Sequence, residues 1–237
     1  VIYAGIDDTD VQDSPGTNRL ARWLIARLRP DYRSLVAVRH QLLFDPRVPY
    51  TSKNSSASLV WEPAAGGSVG DLAARMRGLM QEWFVAGSDP GLCVTDRVPE
   101  EIVAFGRRCQ REVVSQEEAR RLAAQHAVFL EGLGGTEDGV IGALAAVGLC
   151  AGGNDGRVVS IGPWPDDLSG PQDVALLHAR GVAEIRDAAS GEPIRWGRVD
   201  VGKHLRPSWR EGRVVLFVTP APPQSAHHAP WQAVRLT

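Results

Sequence analysis

Three carboxylates fall within four residues near the start of the chain, at Asp7, Asp8 and Asp10, with Asp13 as an outlying fourth. Carboxylates packed so closely repel one another unless a positive charge sits among them. Oxygen-only donors favour Mg²⁺, which keeps part of its water and is commonly completed by substrate phosphates. The chemistry expected of Asp7, Asp8 and Asp10 is therefore metal binding and phosphate-directed catalysis. Thr9, Ser14, Gly16 and Thr17 share the stretch and are candidate phosphate or substrate contacts. The same residue types also cap helices and close Asx-turns, so a purely structural role stays open.

A second stretch, Gly132 to Gly148, is a glycine-rich loop running into a helix of small and apolar residues. Its candidate binding residues are Gly134, Gly135, Thr136, Glu137, Asp138 and Gly139. Exposed amides at a helix start attract anions, whereas Glu137 and Asp138 attract a cation such as a protonated amine. The two preferences compete, and a loop that only caps a buried helix is a third reading. The polar segment from Asp45 to Ser56 carries Arg47 and Lys53, which could hold phosphate or a base, although by itself the segment reads first as a solvated loop. Arg195 to Arg210 interleaves basic residues with Trp196 and Trp209; it reads either as a nucleotide-binding face or as a solvated edge.

These residues must be held by a framework, and its signals alternate between strand and helix. Val1 to Ala4 is a short apolar run, and the apolar spacing of Leu20, Ala21, Leu24, Ile25 and Leu28 predicts a helix over residues 17–30. The acidic turn thus joins a strand to a helix, where ligands of open α/β sheets collect. Strands are expected at residues 34–44, 57–61, 158–161, 182–185 and 214–218, and helices at 71–84, 99–109, 116–127 and 172–179. Ser115 followed by Glu118 has the form of a capping box. The fold class expected is an N-terminal α/β domain over residues 1–113, an α+β domain over 114–223, and a tail from 224 to 237.

The 237 residues carry a net charge of −2, which gives no global pull toward nucleic acid or anionic membrane. There is no apolar run of membrane-spanning length and no signal-peptide pattern, so the expected location is the cytoplasm. Cys93, Cys109 and Cys150 are too scattered for a disulfide framework or a cysteine zinc site. A metal role for His227 and His228 would need further ligands.

Taken together, Gly5-Ile-Asp-Asp-Thr-Asp with Ser14 and Gly16, Asp45-Pro-Arg-Val-Pro-Tyr, Asp89-Pro-Gly, and Gly139-Val-Ile-Gly-Ala-Leu-Ala-Ala-Val-Gly resemble the archaeal tRNA(Ile) agmatidine synthetase family in the same order. The resemblance implies an ATP-using, kinase-like domain followed by a ferredoxin-like domain that holds agmatine. It makes Asp7, Asp8 and Asp10 the metal and phosphoryl-transfer carboxylates and places Gly135 to Ala143 in the amine-binding domain. It also puts Arg19 where the family has a threonine that becomes phosphorylated, with Thr17 two positions early. The family continues into an oligonucleotide-binding barrel and a zinc ribbon that engage tRNA. The chain ends without either, so a substrate smaller than tRNA is expected.

The function expected is a Mg²⁺-dependent, ATP-using enzyme that activates an acceptor by phosphoryl transfer for attack by an amine or similar small nucleophile. Two other classes fit the same residues: a non-catalytic amine or nucleotide sensor, and an RNA-modification accessory protein working with a partner.

Overall fold

The computed structural model describes residues 1–48, 54–64, 66–222 and 229–235. In chain order its elements are β1 (Ile2–Asp7), α1 (Thr17–Leu28), β2 (Tyr32–Gln41), β3 (Ser55–Pro63), α2 (Val69–Glu82), β4 (Gly91–Thr95), α3 (Glu100–Cys109), α4 (Gln116–Gln125) and β5 (Phe129–Gly132). There follow α5 (Gly139–Ala151), β6 (Arg157–Ile161), β7 (Pro171–Asp173), α6 (Val174–Ala179), β8 (Glu184–Asp187), β9 (Arg198–Asp200), β10 (Ser208–Arg210), β11 (Arg213–Pro220) and β12 (Trp231–Val234). The strands join one mixed sheet in the order β5-β4-β1-β3-β2-β6-β10-β11-β12-β9-β7, with β8 pairing β11 off that path.

Residues 2–95 run strand-helix-strand-strand-helix-strand with the strands ordered β4-β1-β3-β2 and every neighbouring pair antiparallel. This is the split βαβ, ferredoxin-like arrangement. It lies at the start of the chain rather than after residue 114, where it was expected. Strand and helix alternation serves a parallel sheet and a split antiparallel one equally well. What decides is the β2–β3 hairpin, which places β3 between β1 and β2. After residue 151 the only described helix is α6, six residues long, so among the described residues there is no second arrangement of this kind there. Strand pairing also runs across residue 113, since β5 bonds to β4. Residues 231–234, expected within a tail, form β12 and pair with β11 and β9.

Alternation along the strands sorts the core onto two faces. Ala4, Ile6, Leu59, Trp61, Leu92 and Val94 pack beneath α1 and α2. Cys93 turns to the other face, where it meets α3, α4 and α5. There α5 is buried almost throughout, which accounts for its run of small and apolar residues. A Cβ on Gly5 would lie 1.9 Å from the Ala143 carbonyl oxygen, and one on Gly91 2.1 Å from the Gly139 carbonyl carbon. Glycine is therefore what lets α5 lie directly on β1 and β4. Val36, Val38 and Val60 join β6, β8 and β11 in the third cluster, which packs the C-terminal half onto the same sheet.

A buried polar link ties these parts together. The His40 ring, 0% exposed, meets Asp155 through Nδ1 at 2.7 Å and Ser58 through Nε2 at 2.8 Å, and Asp155 also accepts from the Gln110 amide at 2.9 Å. Ser58 is likewise 0% exposed, so the trio has the order of a hydrolytic triad without access to a substrate. Its role is to satisfy a buried imidazole. Ser68 and Ser115 cap α2 and α4 by accepting from the amides of Asp71 and Glu118. Among the described residues no helix is long and apolar enough to cross a membrane.

Candidate functional site

The last residue of β1 is Asp7, and the chain turns sharply immediately after it. Asp8 takes a left-handed backbone with φ of 49°, a region in which Asp is better tolerated than most residues. Thr9 is buried, and its hydroxyl donates to Thr17 Oγ1 at 3.1 Å; Thr17 in turn donates to Asp10 Oδ1 at 3.0 Å. Ser14 closes the following turn, accepting from the Val11 amide at 2.8 Å and donating to the Val11 carbonyl at 2.9 Å. Gly16 is the extended N-cap residue of α1. Ser14 and Gly16 therefore shape the turn, while Thr9 and Thr17 brace Asp10.

This turn forms one wall of a cavity of about 220 Å³. Asp7, Asp8, Asp10 and Thr17 line it, as do Asp138, Gly139 and Gly142 from the start of α5. Leu42, Leu43, Val48, Val113, Val114 and Ile141 supply an apolar wall, Cys109 and Glu112 complete that side, and Arg47, Asn54 and Ser55 contribute polar groups. Arg47 is exposed and paired with Asp45 at 2.8 Å, which holds the Asp45 carboxyl down at about 2. Lys53 lies outside the described residues, as do His227 and His228. Arg19 is exposed and does not line the cavity, whereas Thr17 does.

Burial pushes the Asp7 carboxyl up to about 8, with repulsion from Asp8 adding to it. Asp8 is pushed up to about 6 by burial, then by the charges of Asp89, Asp10 and Asp138. Carboxylates that raise one another in this way are short of positive charge. A Cβ on Gly142 would lie 1.7 Å from Asp7 Oδ2, so the glycine makes room for the carboxylate against α5. Asp89 precedes β4 and, although it carries part of the sequence resemblance, its place beside Asp8 was not anticipated. The pointer was its Asp-Pro-Gly turn entering a strand.

In the glycine-rich loop the amides at the helix start are engaged within the chain. The amides of Gly139, Val140 and Ile141 are taken by the carbonyls of Asp89, Glu137 and Asp138, so the start of α5 offers no free donors there to an anion. Glu137, with φ of 64°, is turned into an ion pair with Arg120 and does not line the cavity. Asp138 does line it, and its two oxygens accept from the Gln116 amide and the Thr136 hydroxyl, each at 3.1 Å. Gly134 and Gly135 lie outside the lining; a Cβ there would meet Phe84 at 2.7 Å and the Asp89 carboxylate at 1.7 Å, respectively. Thr136 donates its amide to Asp89.

Among the described residues no three His, Cys, Asp or Glu side chains converge closely enough to hold a metal ion by themselves. The donor chemistry nonetheless suits Mg²⁺, which needs only one or two carboxylates and completes its shell with water and phosphate oxygens. Within the basic segment, Arg198 pairs with Asp173, Arg206 pairs with Asp166, and the Trp209 indole donates to the Cys150 carbonyl. Trp196 is 83% exposed. The segment is thus mostly engaged with its own chain and lies apart from the acidic cavity.

The fold of this chain is similar to that of solved tRNA-modifying enzymes. Apo TiaS (tRNAIle2 agmatidine synthetase) is similar at 24% identity and a TM-score of 0.52, over 62% of this chain and 35% of that one. The TiaS–tRNA(Ile2)–ATP complex matches at 24% identity and a TM-score of 0.56, over 62% and 36%. The TiaS–tRNA(Ile2)–AMPCPP–agmatine complex matches at 22% and 0.53, over 62% and 35%. At these identities the likeness shows a shared, divergent fold, and the chain spans about a third of the length of those proteins. No family model matches the chain. No curated protein matches it.

Proposed function

We propose that the chain is a Mg²⁺-dependent, ATP-using enzyme whose nucleotide site is the cavity between the acidic turn and α5. The observation that carries this reading is Asp8, fixed in a left-handed turn among Asp10, Asp89 and Asp138 at a cavity that also has an apolar wall and Arg47. Mutual repulsion there is relieved by a cation, the apolar wall suits a base, and Arg47 can turn from Asp45 to a phosphate. One or two of Asp7, Asp8 and Asp10, with water and phosphate oxygens completing the shell, would hold Mg²⁺, which when bound neutralises and aligns phosphate oxygens. Thr17 lines the same space, its hydroxyl bonded to Asp10 and Thr9. Asp138 is the group best placed to hold an amine, because Glu137 is committed to Arg120. The fold shared with enzymes crystallised with ATP, and with AMPCPP and agmatine, supports the same assignment.

ATP consumption by the purified chain, with Mg²⁺ and with or without agmatine, tests this directly through the nucleotide products. Release of ADP or AMP that disappears in a folded Asp8→Ala variant is expected. Unchanged turnover in that variant would sink the assignment. A sensor that binds without turnover is the second reading, favoured by one observation: Arg19, at the position of the family's phosphorylated threonine, is exposed outside the cavity. Binding of ATP without product formation would decide for it.

A further inference from the structure

A second cavity, of about 470 Å³, lies between the C-terminal half of α1, the start of β2 and the loop after β6. It shares no lining residue with the acidic cavity. Thr17 at the start of α1 borders one and Arg29 at the end borders the other, about 18 Å apart along a helix of this length. The chemistry is opposite in sign. Arg22, Arg29 and Arg33 line the second cavity against a single carboxylate, Asp166. Arg22 is already bonded to Asp166 at 3.0 Å and to the Val159 carbonyl. Arg33 is exposed and pairs with Glu62. Arg29 has no hydrogen bond or ion pair with the described residues.

The remaining lining is apolar and aromatic. Trp164, between Pro163 and Pro165, is 46% exposed, and the Arg180 guanidinium sits over its ring at 5.1 Å. Ser34 also lines the cavity; it is 5% exposed, and its hydroxyl has no hydrogen-bond partner among the described residues. An indole for stacking, an uncommitted guanidinium beside an exchangeable one, and a buried hydroxyl suit a planar ring that carries a phosphate. The negative end of α1 disfavours an anion near its carbonyls, so the phosphate must be met by side chains, which Arg29 at the C-cap and Arg33 supply.

We propose that this cavity is a second ligand site, for a nucleoside monophosphate group, with the base on Trp164 and the phosphate between Arg29 and Arg33. The volume is in the range of small-molecule pockets and accommodates one nucleotide unit. Because the site uses arginines rather than carboxylates, it binds without a divalent cation. That separates it from the acidic cavity.

The test is calorimetric titration of the full chain with AMP and with UMP in EDTA at low salt. Adenosine, ribose 5-phosphate and a five-nucleotide single-stranded RNA are run beside them. The mononucleotides are expected to bind, with adenosine and ribose 5-phosphate each about tenfold weaker or worse, since stacking and phosphate contacts both contribute. Trp164→Leu and the double variant Arg29→Ala, Arg33→Ala should each weaken AMP about tenfold. All three residues are on the surface, and circular dichroism with a thermal melt confirms folding. Asp8→Asn should bind AMP as the parent does. RNA binding at least tenfold tighter than AMP identifies a strand as the source of the group, and equal affinity identifies the free nucleotide. The proposal is overturned by undetectable binding at millimolar AMP, by full affinity in both variants, or by loss of binding in Asp8→Asn alone.

Discussion

Replacing Asp8 by Asn should make the cation-free protein more stable at neutral to alkaline pH. Asp8 has an ordinary value of 3.8 and is pushed up to about 6 in the folded chain, by burial first and then by Asp89, Asp10 and Asp138. The folded state therefore holds a proton that the unfolded chain has already released, and stability falls as pH rises between those values. The loss is absent below about pH 4 and complete above about pH 6–7. Two units at about 1.4 kcal/mol each give about 3 kcal/mol. Asp8 borders an open cavity, and solvent screening reduces this to about 1–2 kcal/mol. Asn tolerates the left-handed turn as Asp does, so the backbone adds little. Urea denaturation of both proteins in EDTA at pH 4 and pH 8 measures the difference. The variant should exceed the parent by about 1–2 kcal/mol at pH 8 and match it at pH 4, and added Mg²⁺ should stabilise only the parent. A variant less stable than the parent at pH 8 without metal would refute the claim that Asp8 is held among like charges.

Three further outcomes follow from the same geometry. Cation affinity should climb about tenfold or somewhat more per pH unit from pH 6 to about pH 7.5 and flatten above pH 8, as binding displaces a proton from Asp7, which sits at about 8, and near pH 6 part of one from Asp8, which sits at about 6; titration with Mg²⁺ or Mn²⁺ across that range measures it. Gly142→Ala places a Cβ 1.7 Å from Asp7 Oδ2 and should cost about 1–3 kcal/mol of stability as well as weakening cation binding, read by melting and by titration. Asp155→Ala strands the buried His40 ring and should cost about 1–3 kcal/mol near pH 7. Burial raises Asp155, but bonds from His40 and Gln110 hold it below its usual value overall. Its stabilisation is therefore present above about pH 4 and lost on acidification, so the variant should converge on the parent at low pH in denaturation curves.

The acidic turn was legible because its signals are local: an apolar strand, three carboxylates and a periodic helix follow one another without interruption. The long elements were legible for the same reason, and α1, β2, β3, α2, α3 and α4 lie where periodicity places them, to within a few residues. The strands β5, β7, β9, β10 and β12 escaped notice, being three or four residues long, and β7 takes residues 172–173 from the start of the helix expected over 172–179. Sheet order escaped as well, since alternation of strand and helix does not state which strands pair. Glu137 and Asp138 look equivalent in sequence. They part company because the left-handed φ at Glu137 aims it at Arg120 while Asp138 remains at the cavity. The glycines of the loop read as ligand contacts; in space Gly134 and Gly135 are close approaches to Phe84 and Asp89, while Gly139 lines the cavity. Asp89 itself depends on a β4 position that only the sheet establishes.

The measurement that bears most directly on the central claim is binding of a non-hydrolysable ATP analogue to the full chain at pH 8, titrated with Mg²⁺ and with EDTA. Binding that requires Mg²⁺, disappears in Asp8→Asn and weakens in Arg47→Ala is the result expected of a nucleotide site built on the acidic turn. Binding unaffected by EDTA, or equally strong in Asp8→Asn, would contradict it.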